Sequence, residues 1–173
     1  MSSIPYDLHR IKAVVFDVDG VLSGNTISLL PDGDPMRTVN IKDGYALQLA
    51  VKKQLHVGII SGARTASLHT RFAKLGITHI YLGSSIKLDD YYDFRALTQL
   101  DDDQILYAGD DIPDYHVMSR VGLPVAPADA APEIKSIARY ISPCNGGDGV
   151  ARDVIEQIMK VQGLWMDEEA FGW

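Results

Sequence analysis

Disulfide bonds, membrane spans and a basic surface all lie outside the means of this sequence. Cys144 is the only cysteine, so no intrachain disulfide can form and a reducing compartment is expected. No apolar run approaches the ~20 residues that span a bilayer. Met1 to Arg10 is polar and carries Pro5; it lacks the apolar centre of a secretory signal, and a cytoplasmic location is expected. Basic residues are in the minority, 16 Lys and Arg against 23 Asp and Glu, for a net charge of −7. That deficit argues against nucleic acid or an anionic membrane as the partner. Small anions stay open, because a local basic pocket or a bound cation reverses the sign in one place. Several familiar loops are missing too. There is no Gly-x-x-x-x-Gly-Lys phosphate loop, and Gly147-Asp148-Gly149 lacks the third glycine of a dinucleotide fingerprint, since Arg152 stands there. Leu22 occupies the sixth position of any calcium loop opening at Asp17, where glycine is required. His9, His56, His69, His79 and His116 show no metal-ligand spacing.

What remains is an ordinary globular chain of 173 residues, 46% of them hydrophobic, read as one domain over 1–173. Ile11–Phe16, Val57–Ile60, Ile80–Leu82, Ile105–Ala108 and Leu123–Ala126 are short apolar runs of buried-strand type. Between them, helical patterns cover Gly44–Lys53, Thr65–Leu75, Asp89–Leu100, Asp114–Val121 and Asp148–Val161, with Gly76 stopping the second. Strands alternating with helices predict an α/β fold, a doubly wound and mostly parallel sheet covered on both faces. One stretch breaks the rhythm. In 25–42, extended runs at Thr26–Leu30 and Met36–Ile41 flank Pro31-Asp32-Gly33-Asp34-Pro35, which predicts a β-hairpin inserted after the first strand. Its apolar residues Ile27, Leu29, Leu30, Val39 and Ile41 need another surface, such as a second subunit. The tail over 162–173 carries Trp165, Phe171 and Trp173 among acidic residues, and is either docked or disordered.

In a doubly wound sheet, ligands bind at the carboxyl ends of the strands near the switch point. Three polar clusters fall at such ends: Asp17-Val18-Asp19-Gly20, Ser61-Gly62 and Gly109-Asp110-Asp111, with Lys87 ahead of a helix between the last two. A lone aspartate after a strand is most often a turn former or cap, and Asp32, Asp34, Asp89, Asp90 and Asp101–Asp103 are read so. Asp17 and Asp19 differ, flanking one residue directly after an apolar strand with glycine following. Bringing Asp17, Asp19 and Asp110 together costs roughly 4 kcal/mol for each charge pair ~4 Å apart at an effective dielectric near 20. Such a cluster calls for a hard cation such as Mg²⁺.

Val14-Val15-Phe16-Asp17-Val18-Asp19-Gly20-Val21-Leu22 resembles the first signature of haloacid dehalogenase-type phosphatases. Ser61, Lys87 and Gly109-Asp110-Asp111-Ile112-Pro113-Asp114 resemble the second, third and fourth, in order. The hairpin followed by Asn40-Ile41-Lys42-Asp43-Gly44-Tyr45, the segment Leu75–Tyr81 and Asn145-Gly146-Gly147-Asp148-Gly149 narrow this further. Over about residues 10 to 162 the chain is similar to the 3-deoxy-D-manno-octulosonate 8-phosphate phosphatase family. That resemblance implies a haloacid dehalogenase fold without a large cap domain, and a homotetramer built through the hairpins. It also implies Mg²⁺-dependent hydrolysis of a phosphorylated sugar acid in lipopolysaccharide precursor synthesis. Asp17 is then the nucleophile and Asp19 the general acid/base, with Ser61 and Lys87 on the phosphoryl oxygens. Mg²⁺ is held by Asp17, the Asp19 backbone carbonyl and Asp110. Asn40, Ile41, Lys42, Asp43, Gly44 and Arg71 match sugar-acid contacts. Asp111 or Asp114 orients Lys87 or a metal-bound water. Ala63 and Gln48 stand where arginine is expected, and Asp148 replaces a basic residue.

Lys74 joins Arg71 by spacing alone: three apart, the two share a helix face, suited to a carboxylate or to plain solvation. Rival readings are a phosphatase for a nine-carbon ketosugar acid 9-phosphate, a receiver domain, and a non-catalytic tetrameric binding module. A receiver carries its phospho-acceptor on a middle strand, where this chain has Ser61.

Overall fold

The computed structural model describes residues 3–31, 33 and 35–172. Asp32 and Asp34 of the expected hairpin turn, and Trp173, lie outside the described residues.

Five four- to six-residue apolar runs form parallel strands: β1 (Ala13–Phe16), β4 (His56–Ser61), β5 (His79–Leu82), β6 (Ile105–Ala108) and β7 (Leu123–Ala126). A two-residue edge strand, β8 (Tyr140–Ile141), completes the order β5-β4-β1-β6-β7-β8. β1 is central. Alternation along the strands sends Val14, Phe16, Ile59 and Leu106 to one face, where they pack with α1 (Ile41–Lys52), α2 (Ala66–Ala73) and α6 (Val150–Gln162). Val15, Ile60, Ile105 and Tyr107 go to the other, under α3 (Lys87–Thr98), α4 (Tyr115–Met118) and α5 (Pro132–Ile137). With both faces covered, the strands read as continuous apolar runs. The architecture is the expected α/β doubly wound sheet, with no large cap domain among the described residues.

Local chemistry sets the element ends. Asn40 caps α1, its Oδ1 accepting from the backbone N–H of Lys42 at 2.8 Å and of Asp43 at 3.4 Å. Gly163 closes α6 at φ +72°, a left-handed cap that favours glycine. α4 is shorter than the expected Asp114–Val121, because Ile112–Asp114, with Pro113 inside, winds as a 3₁₀ turn before it. Lys87 does not precede α3 but opens it.

The inserted hairpin exists, in reduced form. β2 (Ser28–Leu29) pairs antiparallel with β3 (Pro35–Met36), Ser28 opposite Met36 and Leu29 opposite Pro35. The expected second run, Met36–Ile41, is corrected at its end: Ile41 and Lys42 already belong to α1. Leu29 is 69% exposed and Ile41 71%, with Ile27, Leu30 and Met36 also exposed. The tail is docked, not loose. Trp165 packs edge-on to Tyr45, the Arg152 guanidinium lies 4.7 Å from the Trp165 ring, and the Tyr45 hydroxyl donates to the Ala170 carbonyl.

Candidate active site

Register alone assembles the site. Phe16 lies opposite Ile59 of β4 and Ala108 of β6, so the next residue, Asp17, emerges beside Ser61 and Asp110 at the carboxyl ends of three adjacent strands. The Asp17 N–H donates to the Ala108 carbonyl at 3.0 Å, which keeps the chain extended one residue past β1. Asp17 is buried, and its Oδ1 accepts from the Val18 N–H at 2.6 Å. Its Oδ2 lies 2.6 Å from Lys87 Nζ. The same ammonium donates to Asp114 Oδ1 at 2.7 Å. Asp114 is fully buried and also accepts from the Tyr107 hydroxyl at 2.6 Å and, through Oδ2, from the Asp110 N–H at 3.2 Å.

Two glycines make room for these carboxylates. A Cβ on Gly20, at φ +80°, would occupy the position of the Asp110 carboxylate, and one on Gly109 would run into the Asp114 side chain. Carboxylate oxygens of Asp17, Asp110 and Asp114 fall within 4.8 Å of one another. Burial, followed by repulsion from Asp114, pushes the Asp17 carboxyl up to about 7, against the pull of Lys87. Burial, followed by repulsion from Asp17 and Asp114, does the same to Asp110, also to about 7. Burial works against charge on Lys87 as well, but its two carboxylate partners outweigh that and hold its pKa above the ordinary value. Three clustered carboxylates thus share one ammonium. An all-oxygen site short of positive charge fits a hard divalent cation such as Mg²⁺. Asp114 is fully buried and takes three protein donors, from Lys87, Tyr107 and Asp110, whereas among the described residues the Asp110 carboxylate takes no such donors and Asp17 keeps some exposure, so Asp17 and Asp110 are the side chains that could hold the ion. Lys87 is therefore oriented by Asp114; Asp111 lies exposed at the rim.

Ser61 is buried at the end of β4, its Oγ accepting from the Ala63 N–H at 3.2 Å. It lines a cleft of about 490 Å³ with Asp17, Asp19, Lys87, Asp110 and Asp111. Asp19 stands apart from the carboxylate cluster. Arg37, from the hairpin, grips it through Nε to Oδ1 at 2.5 Å and NH2 to Oδ2 at 2.8 Å. No local pattern marks Arg37 as a site residue; its one signal is being the only Lys or Arg between Lys12 and Lys42.

Comparison with known proteins decides the family. Residues 87–154 match the haloacid dehalogenase-like hydrolase family. Over 153 residues, 88% of this chain and 82% of the relative, the sequence is 39% identical to 3-deoxy-D-manno-octulosonate 8-phosphate phosphatase of Yersinia pestis. The chain belongs to the 3-deoxy-D-manno-octulosonate 8-phosphate phosphatase family. Among solved members of that family, the Moraxella catarrhalis enzyme, in complex with a magnesium ion, a phosphate ion and a KDO molecule, superposes with TM-score 0.86 at 29% identity over 90% of each chain. The cobalt-bound enzyme of Haemophilus influenzae gives TM-score 0.88 at 28% identity, over 95% of this chain and 98% of that one. The chain shares the phosphatase fold of these relatives and is, as they are, a phosphoric monoester hydrolase.

The expected sugar-acid contacts divide. Arg71 lines a second cleft of about 590 Å³ between the hairpin and α2, with Arg37, Leu30, Met36 and Thr65. Gly44 leaves the space its guanidinium occupies against α1. Ile41 and Lys42 are exposed. Asn40 and Asp43 also carry bonds that hold the fold, and with Gly44 and Arg71 they line one small cavity. Asn40 caps α1 and donates from Nδ2 to the Gly147 carbonyl at 3.3 Å. Asp43 is buried, its Oδ1 accepting at 2.7 Å from the Arg152 N–H in the first turn of α6. Lys74 is the exposed C-cap of α2 and is not among the residues that line that cleft.

Proposed function

We propose that this chain hydrolyses 3-deoxy-D-manno-octulosonate 8-phosphate, with Asp17 taking the phosphoryl group, as a step in lipopolysaccharide precursor synthesis. The observation that carries this reading is the buried Asp17–Lys87–Asp114 chain at the switch point, in a sequence 39% identical to a phosphatase of that name. A phosphate monoester resists attack because nucleophile and target are both anionic. When bound, Mg²⁺ held by Asp17, Asp110 and the Asp19 carbonyl supplies positive charge that favours the ionised carboxylates and offsets the phosphoryl oxygens. Lys87 and Ser61 hold those oxygens as charge redistributes over them. Asp17 attacks phosphorus in line, and the bond to the sugar oxygen breaks as the aspartyl-phosphate forms. Protonated Asp19 gives its proton to the departing alkoxide; as a carboxylate it then takes one from the water that attacks the aspartyl-phosphate. Water exclusion and leaving-group contacts come from the hairpin side, where Arg71 faces the larger cleft.

The exposed apolar hairpin supports a homotetramer formed through 25–42, and the absence of a spanning helix among the described residues, with one cysteine in the chain, supports a cytoplasmic location. Residues 1–173 act as one catalytic domain in this reading. Turnover of a panel containing the eight-carbon acid phosphate, a nine-carbon acid 9-phosphate, glucose 6-phosphate and 4-nitrophenyl phosphate tests the substrate, with Asp17→Asn as the inactive control. The eight-carbon acid phosphate should give the highest kcat/KM, and Arg71→Ala should lower that value far more than the aryl phosphate value. Preference for the nine-carbon acid would keep the mechanism and change the substrate. Near-normal turnover by Asp17→Asn would remove the nucleophile.

A further inference from the structure

Two aspartates separated by one residue have opposite surroundings. Asp17 is buried and takes Lys87; Asp19 has a side chain 41% exposed and takes Arg37, whose own side chain is only 8% exposed. Each carboxylate therefore has its own cation, and the second one arrives from outside the sheet. Arg37 follows β3 on the hairpin, and its fork covers both oxygens of Asp19, the arrangement that fixes the plane of a carboxylate as well as its place. A third anchor, NH1 to Thr65 Oγ1 at 3.1 Å, ties the same guanidinium to the residue that opens α2. On the far side Ser23 Oγ donates to Asp19 Oδ1 at 3.2 Å.

We propose that Arg37 is a positioning residue for Asp19: its fork sets the carboxylate that takes a proton from the attacking water, and one arm stays on the carboxyl while the other oxygen carries the proton for the leaving group. The inference rests on the assignment of Asp19 as the acid/base. Freed from Arg37, the Asp19 side chain has, among the described residues, Ser23 alone to direct it, and the cation site beside Asp17 competes for its carboxylate. The hairpin then has a chemical task besides covering the cleft. Anything that packs on the hairpin acts on turnover through Arg37. Lysine at this position can offer one point contact in place of the planar fork, so it restores part of the function.

The two half-reactions separate this role from a merely structural one. With 4-nitrophenyl phosphate the leaving phenolate needs no proton, so transfer to Asp17 proceeds without Asp19, whereas cleavage of the aspartyl-phosphate still needs its base. In stopped-flow experiments on the Mg²⁺-loaded protein, Arg37→Ala should keep the initial phenolate burst within about twofold while steady-state turnover falls by on the order of 10- to 100-fold. Arg37→Lys should fall in between. With the eight-carbon acid phosphate, whose alkoxide does need a proton, single-turnover cleavage should slow as well. Asp19→Asn should show the same split, more severely. If Asp19→Asn splits the phases and both Arg37 variants leave them unchanged, raise KM alone, or slow burst and steady state equally, the role of Arg37 is refuted and the acid/base assignment stands. Undiminished steady-state turnover in Asp19→Asn refutes both.

Discussion

The Lys87 ammonium lies 2.7 Å from Asp114 Oδ1, at the floor of the cleft where Asp114 is fully buried and Lys87 nearly so. In the proposed mechanism Lys87 holds a phosphoryl oxygen; its ammonium lies 2.6 Å from Asp17, and Asp114 on the other side supplies a counter-pull. Asp114→Ala leaves the ammonium, the Tyr107 hydroxyl and the Asp110 N–H without their acceptor. Breaking one partner out of a buried charged set costs about 3–5 kcal/mol, so the melting temperature should fall markedly and kcat with it. Asp114→Asn keeps the shape and one acceptor oxygen, and should lose less of both. Thermal melts and steady-state kinetics on the pair check this; an alanine variant as stable and active as the parent would sink the counter-pull.

Mg²⁺ should raise stability as well as support turnover. A ligand at 100 times its Kd that binds only the folded chain adds about 2.7 kcal/mol, and relief of the crowded Asp17 and Asp110 carboxylates is the source. Thermal melts with and without Mg²⁺ should differ, and Asp110→Asn should erase the difference. Gly20→Ala should also erase it, since its Cβ displaces the Asp110 carboxylate. Ca²⁺, which prefers more ligands at longer distances, should stabilise the fold and inhibit turnover. Full activity after exhaustive chelation would take the metal out of the reaction.

Ile27 and Leu29 are exposed on a hairpin of two-residue strands, and an isolated hairpin is marginal in water. Exposed apolar patches of this kind mark interfaces. Replacing both residues with lysine should reduce the mass measured by light scattering from that of a tetramer and lower activity in step. A parent chain that is monomeric at assay concentration and fully active contradicts the assembly.

Asp43 gives the fold a pH dependence away from the catalytic cleft. Burial raises its carboxyl from 3.8 to about 6, against the hydrogen bond from the Arg152 N–H, and its Oδ2 has no hydrogen-bond partner among the described residues. Between those values the folded chain binds more protons here than the unfolded chain. The stabilising contribution is complete below pH 3.8 and is lost as pH rises through about 6. Asp43→Asn cannot titrate, so its stability relative to the parent should improve by about 2–3 kcal/mol between pH 4 and 7. Any constant offset from the new amide drops out of that difference. Denaturant unfolding at a series of pH values measures it, and a flat difference would mean that Asp43 ionises freely.

How much of this was legible depends on the range of the interaction. Ile105–Ala108 and Leu123–Ala126 are strands at the limits their apolar runs give, because a fully buried parallel strand writes itself as an unbroken run. β8 has two residues and no run to write. α5 begins at Pro132, a start signal by its fixed φ, but its six residues are too few for a period to show. The meeting of Asp17, Ser61, Lys87 and Asp110 in one cleft was readable because each ends or follows a strand or opens a helix at the switch point. Arg37 was not: its partner is 18 residues away, across a turn whose geometry no local pattern carries. The bonds from Asn40 to the Gly147 carbonyl and from the Arg152 N–H to Asp43 Oδ1 were not readable either, because they depend on tertiary packing.

The placement of β1 at the centre of the sheet has a consequence for how the protein is made. Asp17 leaves the ribosome early, but its neighbours on one side, β6, Asp110 and Asp114, come about 90 residues later. Until then β1 can pair only with β4, and its other edge is open to any strand that will add to it. Long-range parallel pairing of this kind is slow. A nascent chain cut off before Ile105 therefore carries Asp17 without Asp110 and Asp114, the carboxylates that in the proposed mechanism hold the metal and aim the lysine, so phosphoryl transfer by that route waits for β6 and the loop after it.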